Sequence, residues 1–430
     1  MSHFALVAPP FLGHLNPMLA LGRALRARGH RVTLFGIPEA ALLAERRGCD
    51  VVALGRRSHP DGTLARLANR MAAPGGLGLF GIMADMVAMT RMLCAELPAA
   101  CRAAGVDGIV SDQLEPAGAL VATHLGLPYV TVANALPLHR EPLVPPPFTS
   151  WRYDASRWGV KRNRGGYRVA DFMMRPVTAG IAREALRLGI PAPRGLEGCL
   201  SPLAEITQLV PELDFPRRHL GGTVHACGPL REEGDAEDVS EFLGDGRPLV
   251  FASLGSLQGG RAGIFRRIAR ACAELDLHLV VAHGGRLDPA LAASLPGRPT
   301  VRAFVPQRSL LPHAALLVTN GGLNTVLDGA AAGVPMLVIP IAFEQGAIAA
   351  RVLDAGIGRV LSRWRLSRLP GVLAELGDND ILRQRARQMA RAVAAAGGVE
   401  AAAAVVLEAM RTGRPVLRRR PEGAPVRESA

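Results

Sequence analysis

The chain has few aromatic residues and almost no lysine. Of its 430 residues only 4% are Phe, Trp or Tyr, and Lys161 is the single lysine, so the basic side chains are nearly all arginine. The net charge of +13 suits an anionic partner. Nucleic-acid binding, however, needs aromatic stacking platforms or a recognisable motif, and we find neither, so we expect no nucleic-acid partner. Part of the charge lies in residues 412–430, where repeated prolines predict a disordered basic tail.

The sequence also lacks a long uncharged apolar run and any paired cysteines. The quietest region, residues 71–90, is interrupted by Pro74, several glycines and Asp85, whereas a membrane-spanning helix needs about 20 apolar residues. No basic-then-apolar leader precedes the first apolar run. The six cysteines include no C-x-x-C pair, which favours buried thiols over a disulfide or a metal site. These features predict a cytoplasmic protein.

Short apolar runs alternate with helical patterns along most of the chain. Repeated β–α alternation predicts parallel sheets wound on both sides. We therefore expect an α/β protein with two doubly wound, Rossmann-like domains facing across a cleft, residues 1–222 and 247–411, joined by a linker at 223–246. Ligands in such sheets bind at the carboxyl ends of the strands, so the site should lie in the cleft. The predicted strands are 3–8, 31–36, 50–54, 108–111 and 129–132, then 249–253, 278–282, 300–304, 316–319 and 336–340.

One segment, residues 142–168, interrupts this alternation. It is proline-rich at first, then aromatic and basic, and it holds Trp151, Tyr153 and Trp158. A long insertion of this composition is more typical of a binding loop or lid than of structural padding. We predict that the three aromatic side chains line the region that binds a second substrate.

The most informative segment is 318–345, VTNGGLNTVLDGAAAGVPMLVIPIAFEQ. An apolar run stops at a glycine pair ending in Gly322, a helical pattern follows, and a second apolar run leads to Glu344 and Gln345. A strand, glycine turn and helix direct free backbone N–H groups and the positive end of a helix to one point, which suits a diphosphate. Asp328, about one helical turn further on, is within reach of sugar hydroxyls, and the Glu-Gln pair is within reach of a second sugar.

This pattern resembles the nucleotide-sugar signature of family 1 glycosyltransferases, which are metal-independent and adopt the two-domain GT-B fold. The resemblance implies a UDP-sugar as co-substrate and no cofactor. The implied contacts are Phe304 and Val305 for the uracil, Gln307 and Asp328 for the ribose, Ser256, Asn320, Gly322, Asn324 and Thr325 for the diphosphate, and Glu344 and Gln345 for the hexose.

The same resemblance identifies a base for the acceptor hydroxyl. Taken alone, His14 in the loop Gly-His-Leu-Asn-Pro after the first predicted strand would more often be structural. It matches the catalytic histidine of the family, and its ordinary pKa suits proton abstraction near neutrality. Asp112, which ends another strand, matches the acid that orients this histidine and stabilises its protonated form.

Four further segments resemble the bacterial zeaxanthin glucosyltransferases, and the similarity runs from about residue 3 to 410. This resemblance implies an inverting transferase that moves glucose from UDP-glucose to the hydroxyls of zeaxanthin. A hydroxycarotenoid acceptor resides in the bilayer, so it also implies peripheral contact with an anionic membrane, at the inner face of the cell membrane, through residues 151–168 and the arginine-rich tail. The segments are SPLAEITQLVPELDFPR (201–217), CGPL (227–230), FASLGSLQGG (251–260) and AGG (396–398).

Two residues depart from the family pattern. Asn320 stands where a histidine is usual, so a charge-assisted hydrogen bond to phosphate becomes a neutral one, a loss of about 1 kcal/mol. Glu344 stands where aspartate is usual, and we expect its extra methylene to shift which hexose fits. We expect weakened but not abolished donor binding.

Other functions compete with this interpretation. A transferase of the same fold could act on a macrolide or another lipid alcohol. A nucleotide-sugar epimerase needs no acceptor base, and a non-catalytic binder of sugar nucleotides has no reason to pair His14 with Asp112. The Asp-x-Asp spelling at 378–380 could hold a metal, but its position between two helical patterns favours an N-cap.

Overall fold

The computed structural model describes residues 1–418 except 74, 76, 77, 233, 235, 236 and 245. Its N-terminal half contains a parallel sheet with the strand order β3-β2-β1-β4-β5-β6-β7. The strands are β1 (His3–Val7), β2 (Arg31–Gly36), β3 (Asp50–Ala53), β4 (Gly108–Asp112), β5 (Tyr129–Ala133), β6 (Glu205–Thr207) and β7 (Val224–Ala226). The helices of this half are α1 (Leu12–Ala27), α2 (Pro38–Glu45), α3 (Thr63–Ala72), α4 (Gly78–Ala104), α5 (Ala117–Leu125) and α6 (Arg157–Arg187).

The C-terminal half contains a second parallel sheet with the order β10-β9-β8-β11-β12-β13. Its strands are β8 (Leu249–Ser253), β9 (His278–Ala282), β10 (Thr300–Arg302), β11 (Leu316–Thr319), β12 (Met336–Val338) and β13 (Gly358–Val360). Its helices are α7 (Gly255–Gln258), α8 (Ala262–Glu274), α9 (Pro289–Ala293), α10 (Gln307–Leu310), α11 (Leu323–Ala331), α12 (Gln345–Asp354), α13 (Leu369–Gly377), α14 (Asp380–Ala395) and α15 (Gly398–Thr412). Short 3₁₀ turns lie at Glu197–Cys199, Pro211–Leu213, Ser240–Phe242, Leu311–His313 and Leu366–Arg368.

The apolar runs become strands that are buried on both faces. In β11, Leu317 packs in a core with Phe251 on one side of the sheet, while Val318 packs in a separate core with Val250 on the other side. Successive strand residues point to opposite faces, and helices cover both faces of a parallel sheet, so continuous apolar runs result. The predicted class, two doubly wound α/β domains, is confirmed.

The division of the chain differs from the predicted boundaries. The predicted linker at 223–246 begins with β7, because residues 224–226 pair with β6 as the edge of the N-terminal sheet. At the other end, α15 packs on α1 and β5 of the N-terminal domain. The first residues of the predicted tail are bound to the N-terminal domain: the backbone N–H of Val416 donates to Leu203 O, and that of Arg418 donates to Gly222 O. Residues 419–430 of the tail lie outside the described residues.

The interruption at 142–168 is only partly a loop. Ser156 caps a helix by accepting a hydrogen bond from the N–H of Gly159, and α6 then continues to Arg187. The prediction of a binding loop or lid is therefore wrong for the second half of this segment. Gly165, Gly166 and the arginines obscured the helical pattern, although Gly166 is where the helix packs closely on Trp151.

Two helical stretches have the length and hydropathy that a membrane span would need. They are Gly78–Ala104, with a mean hydropathy of 1.4, and Asp380–Thr412, with 1.6. The first packs against α5 and α6, and the second consists of α14 and α15, which pack against α11 and α1. Core helices of this length satisfy the same test, so we assign no span to either.

Two smaller predictions concern the cysteines and the acidic turn at 378–380. Five of the cysteines are buried thiols and Cys49 is half-buried, and none of the six is paired. Asn379 is the N-cap of α14, because its side chain accepts a hydrogen bond from the N–H of Leu382 at 2.9 Å. The interpretation of this turn as a helix cap is confirmed.

Candidate active site

The carboxyl ends of both sheets open into one cavity of about 990 Å³ between the domains. His14, in the first turn of the helix that follows β1, lines it from the N-terminal side. All of the predicted donor-binding residues line it as well, each from the C-terminal domain. Those residues are Ser256, Phe304, Val305, Gln307, Asn320, Gly322, Asn324, Thr325, Asp328, Glu344 and Gln345.

His14 and Asp112 meet although 98 residues separate them in sequence. β1 and β4 are adjacent parallel strands with Val7 beside Ser111, so the residues that follow each strand lie at the same edge of the sheet. His14 Nδ1 lies 2.7 Å from Asp112 Oδ2. A carboxylate only accepts hydrogen bonds, so Nδ1 carries the proton and Nε2 carries the free lone pair. The histidine side chain is 19% exposed and that of Asp112 is completely buried.

Opposing effects set the pKa of His14. Burial lowers it, but the charge of Asp112, the hydrogen bond to Asp112 and the charge of Glu344 outweigh that effect, so the pKa is raised above its ordinary value. Asp112 is itself fixed, because its Oδ1 accepts from the N–H of Leu114 at 2.8 Å and its Oδ2 also accepts from Asn134 Nδ2 at 2.7 Å. The pair is an oriented imidazole with a buried carboxylate behind it.

His14 lies in the first turn of α1 rather than in a loop. The helix begins at Leu12, five residues before Pro17. Proline has no N–H, so the carbonyl of Gly13, four residues earlier, has no partner within the helix. That oxygen instead accepts a hydrogen bond from Asn324 Nδ2 of the other domain at 2.8 Å. Asn324 was predicted to contact phosphate, and its side chain here holds the turn that carries His14.

The glycine turn after β11 has the predicted form. Gly321 has a φ of 85°, and a side chain there would collide with Val338 and with the backbone of Gln345. Gly322 is the N-cap of α11 and provides no side-chain cap. The N–H groups of the first turn of α11, residues 323–325, therefore remain available at the positive end of the helix, which is an anion site.

Asn320 stabilises this turn. Its Oδ1 accepts from the N–H of Gly322 at 3.1 Å, and its Nδ2 has no hydrogen-bond partner among the described residues. A side chain at Gly255 would lie 3.6 Å from that Nδ2. The amide therefore has one donor group left for a ligand in the cavity.

Asp328 is held by two side chains. Its Oδ1 accepts from Arg231 Nε at 2.7 Å, and its Oδ2 accepts from Gln307 Nε2 at 2.6 Å. The two residues predicted for the ribose are thus adjacent. Arg231 was not among the predicted site residues.

The two residues of the Glu-Gln pair after β12 have different hydrogen-bond partners. Gln345 Oε1 accepts from the N–H groups of Ile341 and Ala342, both at 2.9 Å, which closes the loop before α12. Phe343 within this loop has a φ of 54°, a left-handed conformation that is costly for a phenylalanine. Glu344 Oε2 accepts from the N–H of Leu136 in the N-terminal domain at 3.0 Å, and burial raises the pKa of the Glu344 carboxyl.

The rest of the predicted donor residues form the rim of the cavity. Phe304 is 68% exposed and offers a flat apolar surface beside half-buried Val305. Ser256 is exposed at the start of the short helix after β8, and Thr325 is half-buried in the first turn of α11. An exposed aromatic ring of this kind is what stacking of a nucleobase requires.

The three aromatic residues predicted to line a second binding region do not reach this cavity. Tyr153 packs against Phe215, with ring centroids 5.8 Å apart. Arg162 stacks on the rings of both Trp151 and Trp158, at 4.9 and 5.3 Å from their centroids. Trp158 is 66% exposed on α6. Only Trp158 lies on α6, whereas Trp151 and Tyr153 precede it, and none of the three rings lines the cavity that His14 lines.

Three polar residues near the site were not predicted. Asn134 directly follows β5 and Gln208 directly follows β6, while Arg231 lies just after the CGPL segment. Asn134 and Arg231 line the cavity. The signal for the first two is a polar residue at the carboxyl end of a parallel strand, but β6 is only three residues long and was not predicted.

No group of His, Cys, Asp and Glu side chains in the described part of the chain could hold a metal ion. What the cavity does provide is an oriented base on one side and uncapped helix N–H groups on the other.

Comparison with known proteins agrees with this geometry. Residues 266–408 match the family model of the erythromycin biosynthesis protein CIII-like C-terminal domain. The chain is 42% identical to a zeaxanthin glucosyltransferase of Pantoea ananas, over 97% of this chain and 98% of that protein. It is 40% identical to the zeaxanthin glucosyltransferase of Pseudescherichia vulneris, over 95% of this chain and 98% of that one.

The fold also matches a solved structure. The glycotransferase of kitacinnamycin superposes with a TM-score of 0.75 at 23% identity, over 95% of this chain and 99% of that one. Its two-domain architecture is therefore shared by the present chain.

Proposed function

The chain belongs to the zeaxanthin glucosyltransferase family of glycosyltransferases, and on that premise we propose that it moves glucose from UDP-glucose to the ring hydroxyls of zeaxanthin with inversion at the anomeric carbon. The chain is a hexosyltransferase of the two-domain GT-B type. The observation that carries the proposal is that the His14–Asp112 pair and the helix N-terminus of α11 face one cavity from opposite domains.

In the proposed reaction His14 is the general base. Its Nε2 takes the proton of the acceptor hydroxyl as that oxygen attacks the anomeric carbon, while the bond to the diphosphate breaks on the opposite face. Asp112 fixes the tautomer through Nδ1 and stabilises the imidazolium that forms. A single displacement of this kind inverts the configuration at the anomeric carbon.

The departing diphosphate gains negative charge, and α11 supplies groups suited to it. Free N–H groups in its first turn and the positive end of its dipole stabilise an anion without a change in geometry during the reaction. The Nδ2 of Asn320 adds a neutral donor. Because these groups supply the stabilisation that a divalent cation supplies elsewhere, we propose a metal-independent reaction with UDP-glucose as co-substrate and no cofactor.

The proposed donor contacts follow the cavity from rim to base. Phe304 and Val305 stack on the uracil, and Gln307 and Asp328 hold the ribose hydroxyls. Thr325 and Ser256 contact the phosphates, together with Asn320, Gly322 and Asn324. Glu344 and Gln345 hold the glucose; the charge of Glu344 helps to raise the pKa of His14, which supports this placement.

We propose that the acceptor reaches the cavity from a membrane contacted by α6. On this helix Trp158, Val169 and Phe172 are exposed, and the last of these is 67% accessible. An adjacent stripe carries basic side chains. Exposed apolar residues beside a basic stripe suit the surface of an anionic bilayer. The stripe consists of Arg157, Lys161, Arg164, Arg168 and Arg175.

In this proposal Trp151, Tyr153 and Trp158 belong to the membrane-facing side of the acceptor region rather than to the cavity wall. The protein would be cytoplasmic, with peripheral contact at the inner face of the cell membrane.

Product masses test the proposal directly. The protein is incubated with zeaxanthin dispersed in detergent and with UDP-glucose, UDP-galactose or dTDP-glucose in parallel. We expect products heavier by one and two hexosyl units, formed fastest with UDP-glucose, and the β-anomer by NMR. Failure to glycosylate zeaxanthin with any donor, while another lipid alcohol is accepted, would overturn the acceptor assignment.

A further inference from the structure

A continuous path of side-chain hydrogen bonds leads from His14 to the donor site. Asp112 Oδ2 accepts from His14 Nδ1 and from Asn134 Nδ2, each at 2.7 Å. Asn134 Oδ1 accepts from Gln208 Nε2 at 3.0 Å, and Gln208 Oε1 accepts from Arg231 Nη1 at 2.9 Å. The path follows the ends of β1, β4, β5 and β6 of the N-terminal sheet in their spatial order and ends at Arg231, which follows β7.

The two ends of the path fix the orientation of both amides. At one end the carboxylate of Asp112 only accepts, so the NH₂ group of Asn134 must face it. At the other end the guanidinium of Arg231 only donates, so the carbonyl of Gln208 must face it. The remaining carbonyl of Asn134 then meets the remaining NH₂ of Gln208. The three bonds that join Arg231 to Asp112 therefore all point towards Asp112.

Arg231 uses all of its donors in this arrangement. Its Nε donates to Asp328 Oδ1, and its Nη1 donates to Gln208 and to the carbonyl of Leu230 at 3.0 Å. Its Nη2 donates to the backbone oxygen and the Oδ1 of Asn324, at 3.2 and 3.1 Å. One guanidinium thus joins the N-terminal sheet to the two donor residues on α11. Lysine could not reproduce this, because it lacks the planar fork.

The amides of this path lie in the protein interior, where apolar side chains could have filled the same space. Gln208 is fully buried and Asn134 is 4% exposed. Buried amides are costly unless both of their ends are paired, and here both are. Core packing alone would be served by leucine, so the polarity itself needs a function.

We propose that Asn134, Gln208 and Arg231 are positioning residues that hold the base and the donor site in register across the two domains. The inference rests on the proposed function in taking His14 as the base and the residues of α11 as the donor site. Arg231 holds Asp328 and Asn324 where the donor nucleotide binds, and the same guanidinium, through the two amides, holds Asp112 and hence the imidazole. Closure of the cleft on the donor and alignment of the base then become one event.

Two substitutions at Gln208 separate this proposal from a merely structural role. Gln208→Leu breaks both halves of the path, so we expect weaker UDP binding by calorimetry, by several-fold, and a loss of roughly 10²-fold in kcat, the usual cost of a small misalignment. Gln208→Glu still accepts from Arg231 but cannot donate to Asn134. We expect it to bind UDP nearly as the unmodified chain does, yet to lose turnover to a similar extent. Equal effects of both variants on UDP affinity, or unchanged kcat in either, would overturn the proposal.

A double-substitution cycle tests whether the residues act as one path. Asn134→Leu and Arg231→Lys interrupt it at different points, so at saturating UDP-glucose the double variant should be no more than a few-fold slower than the slower single variant. If the two losses in kcat multiply, the residues act independently and the proposal is wrong.

Asn163→Leu is the matched control for these variants. Asn163 is a fully buried amide on α6 that donates to Pro142 O at 3.0 Å, away from the cavity. In the Asn163→Leu variant we expect the unfolding temperature to fall about as much as in the Gln208 variants, with kcat and UDP affinity unchanged. His14→Ala distinguishes the two levels of inference: high turnover in that variant overturns the proposed base, whereas inactive His14→Ala beside fully active Gln208→Leu overturns only the path.

Discussion

The carboxylate of Glu344 accepts a hydrogen bond from the backbone N–H of Leu136, 3.0 Å away in the opposite domain. In the family pattern the corresponding acid is shorter and holds the donor hexose. The extra methylene allows Glu344 to span the cleft, and its charge contributes to the raised pKa of His14. The residue therefore contacts the opposite domain and also affects the pKa of the base.

Glu344→Gln should change the pH dependence of the reaction. The glutamine carbonyl can still accept from Leu136, but the negative charge that raises the pKa of His14 is lost. Because the neutral imidazole is the active form, the acid limb of kcat/KM should move to lower pH. The measurement is kcat/KM for UDP-glucose from pH 5 to 9. An unchanged or upward-shifted acid limb would contradict the assignment of His14 as the titrating group.

His14→Ala should lower kcat by roughly 10²–10⁴, the usual contribution of a general base, and should leave UDP affinity nearly unchanged. Asp112→Asn should cost less, because some correctly oriented neutral imidazole survives. Turnover and calorimetry on the same preparations check both statements. Near-normal turnover in His14→Ala would mean that another group takes the proton.

The family resemblance implied the pairing of His14 with Asp112, and the local rules of parallel sheets are consistent with it. Each residue follows an apolar run, adjacent parallel strands end at one edge, and the cavity forms there. The glycine turn before α11 is equally local. The role of Gln208 was not predictable in this way, since it follows a strand of three residues and its partner Arg231 lies beyond the next strand, in the segment expected to be a linker.

For the aromatic insertion at 142–168, the prediction of a loop was wrong for a different reason. Composition drew attention to Trp158, but the sequence could not say that Ser156 would start a helix of 31 residues. That helix places the ring on an outer face. A composition-based interpretation locates unusual residues, whereas their direction depends on the element that carries them.

Asp328→Ala and Gln345→Ala should weaken UDP-glucose binding while the fold stays intact. Asp328→Ala removes the carboxylate that positions Arg231 and Gln307. Gln345→Ala removes the hydrogen-bond acceptor that closes the loop at 341–342. We expect several-fold to tenfold higher KM for UDP-glucose, with unchanged far-UV circular dichroism.

Added EDTA should not alter the rate of the unmodified enzyme. The α11 N-terminus supplies the stabilisation of the leaving group in the proposed mechanism. Activity that disappears with EDTA and returns with Mg²⁺ or Mn²⁺ would refute metal independence.

Asn320→His should raise donor affinity several-fold. The neutral amide would be replaced by a side chain that can give a charge-assisted bond to phosphate, a gain of about 1 kcal/mol. Gly255 leaves room beside the amide for the larger ring. The imidazole must also replace the bond from Gly322 N–H to Asn320 Oδ1, so affinity is measured together with the unfolding temperature. Lower affinity without a change in that temperature would mean that the residue at 320 does not contact the phosphate.

Binding to a membrane should depend on charge and should be localised on α6. Neutralising Arg164 and Arg168 removes two charges beside exposed Val169 and Phe172, each worth about 1 kcal/mol near anionic lipid. Flotation with phosphatidylglycerol-rich vesicles should show binding that falls with salt and falls again in this double variant. The arginines at 418–420 could add to the effect, but 419 and 420 lie outside the described residues.

The matched control for this variant removes two charges from the other domain. Arg266 and Arg270 are exposed on α8, so their replacement by glutamine changes the net charge equally and leaves α6 intact. If both double variants lose vesicle binding to the same extent, the attraction comes from net charge alone. If the unmodified protein does not bind the vesicles even at low salt but still glucosylates detergent-dispersed zeaxanthin, the basic stripe is a solvated surface. Only a loss confined to the α6 variant is consistent with a membrane-facing helix, because net charge acts over the whole molecule whereas exposed Val169 and Phe172 act only where they touch lipid.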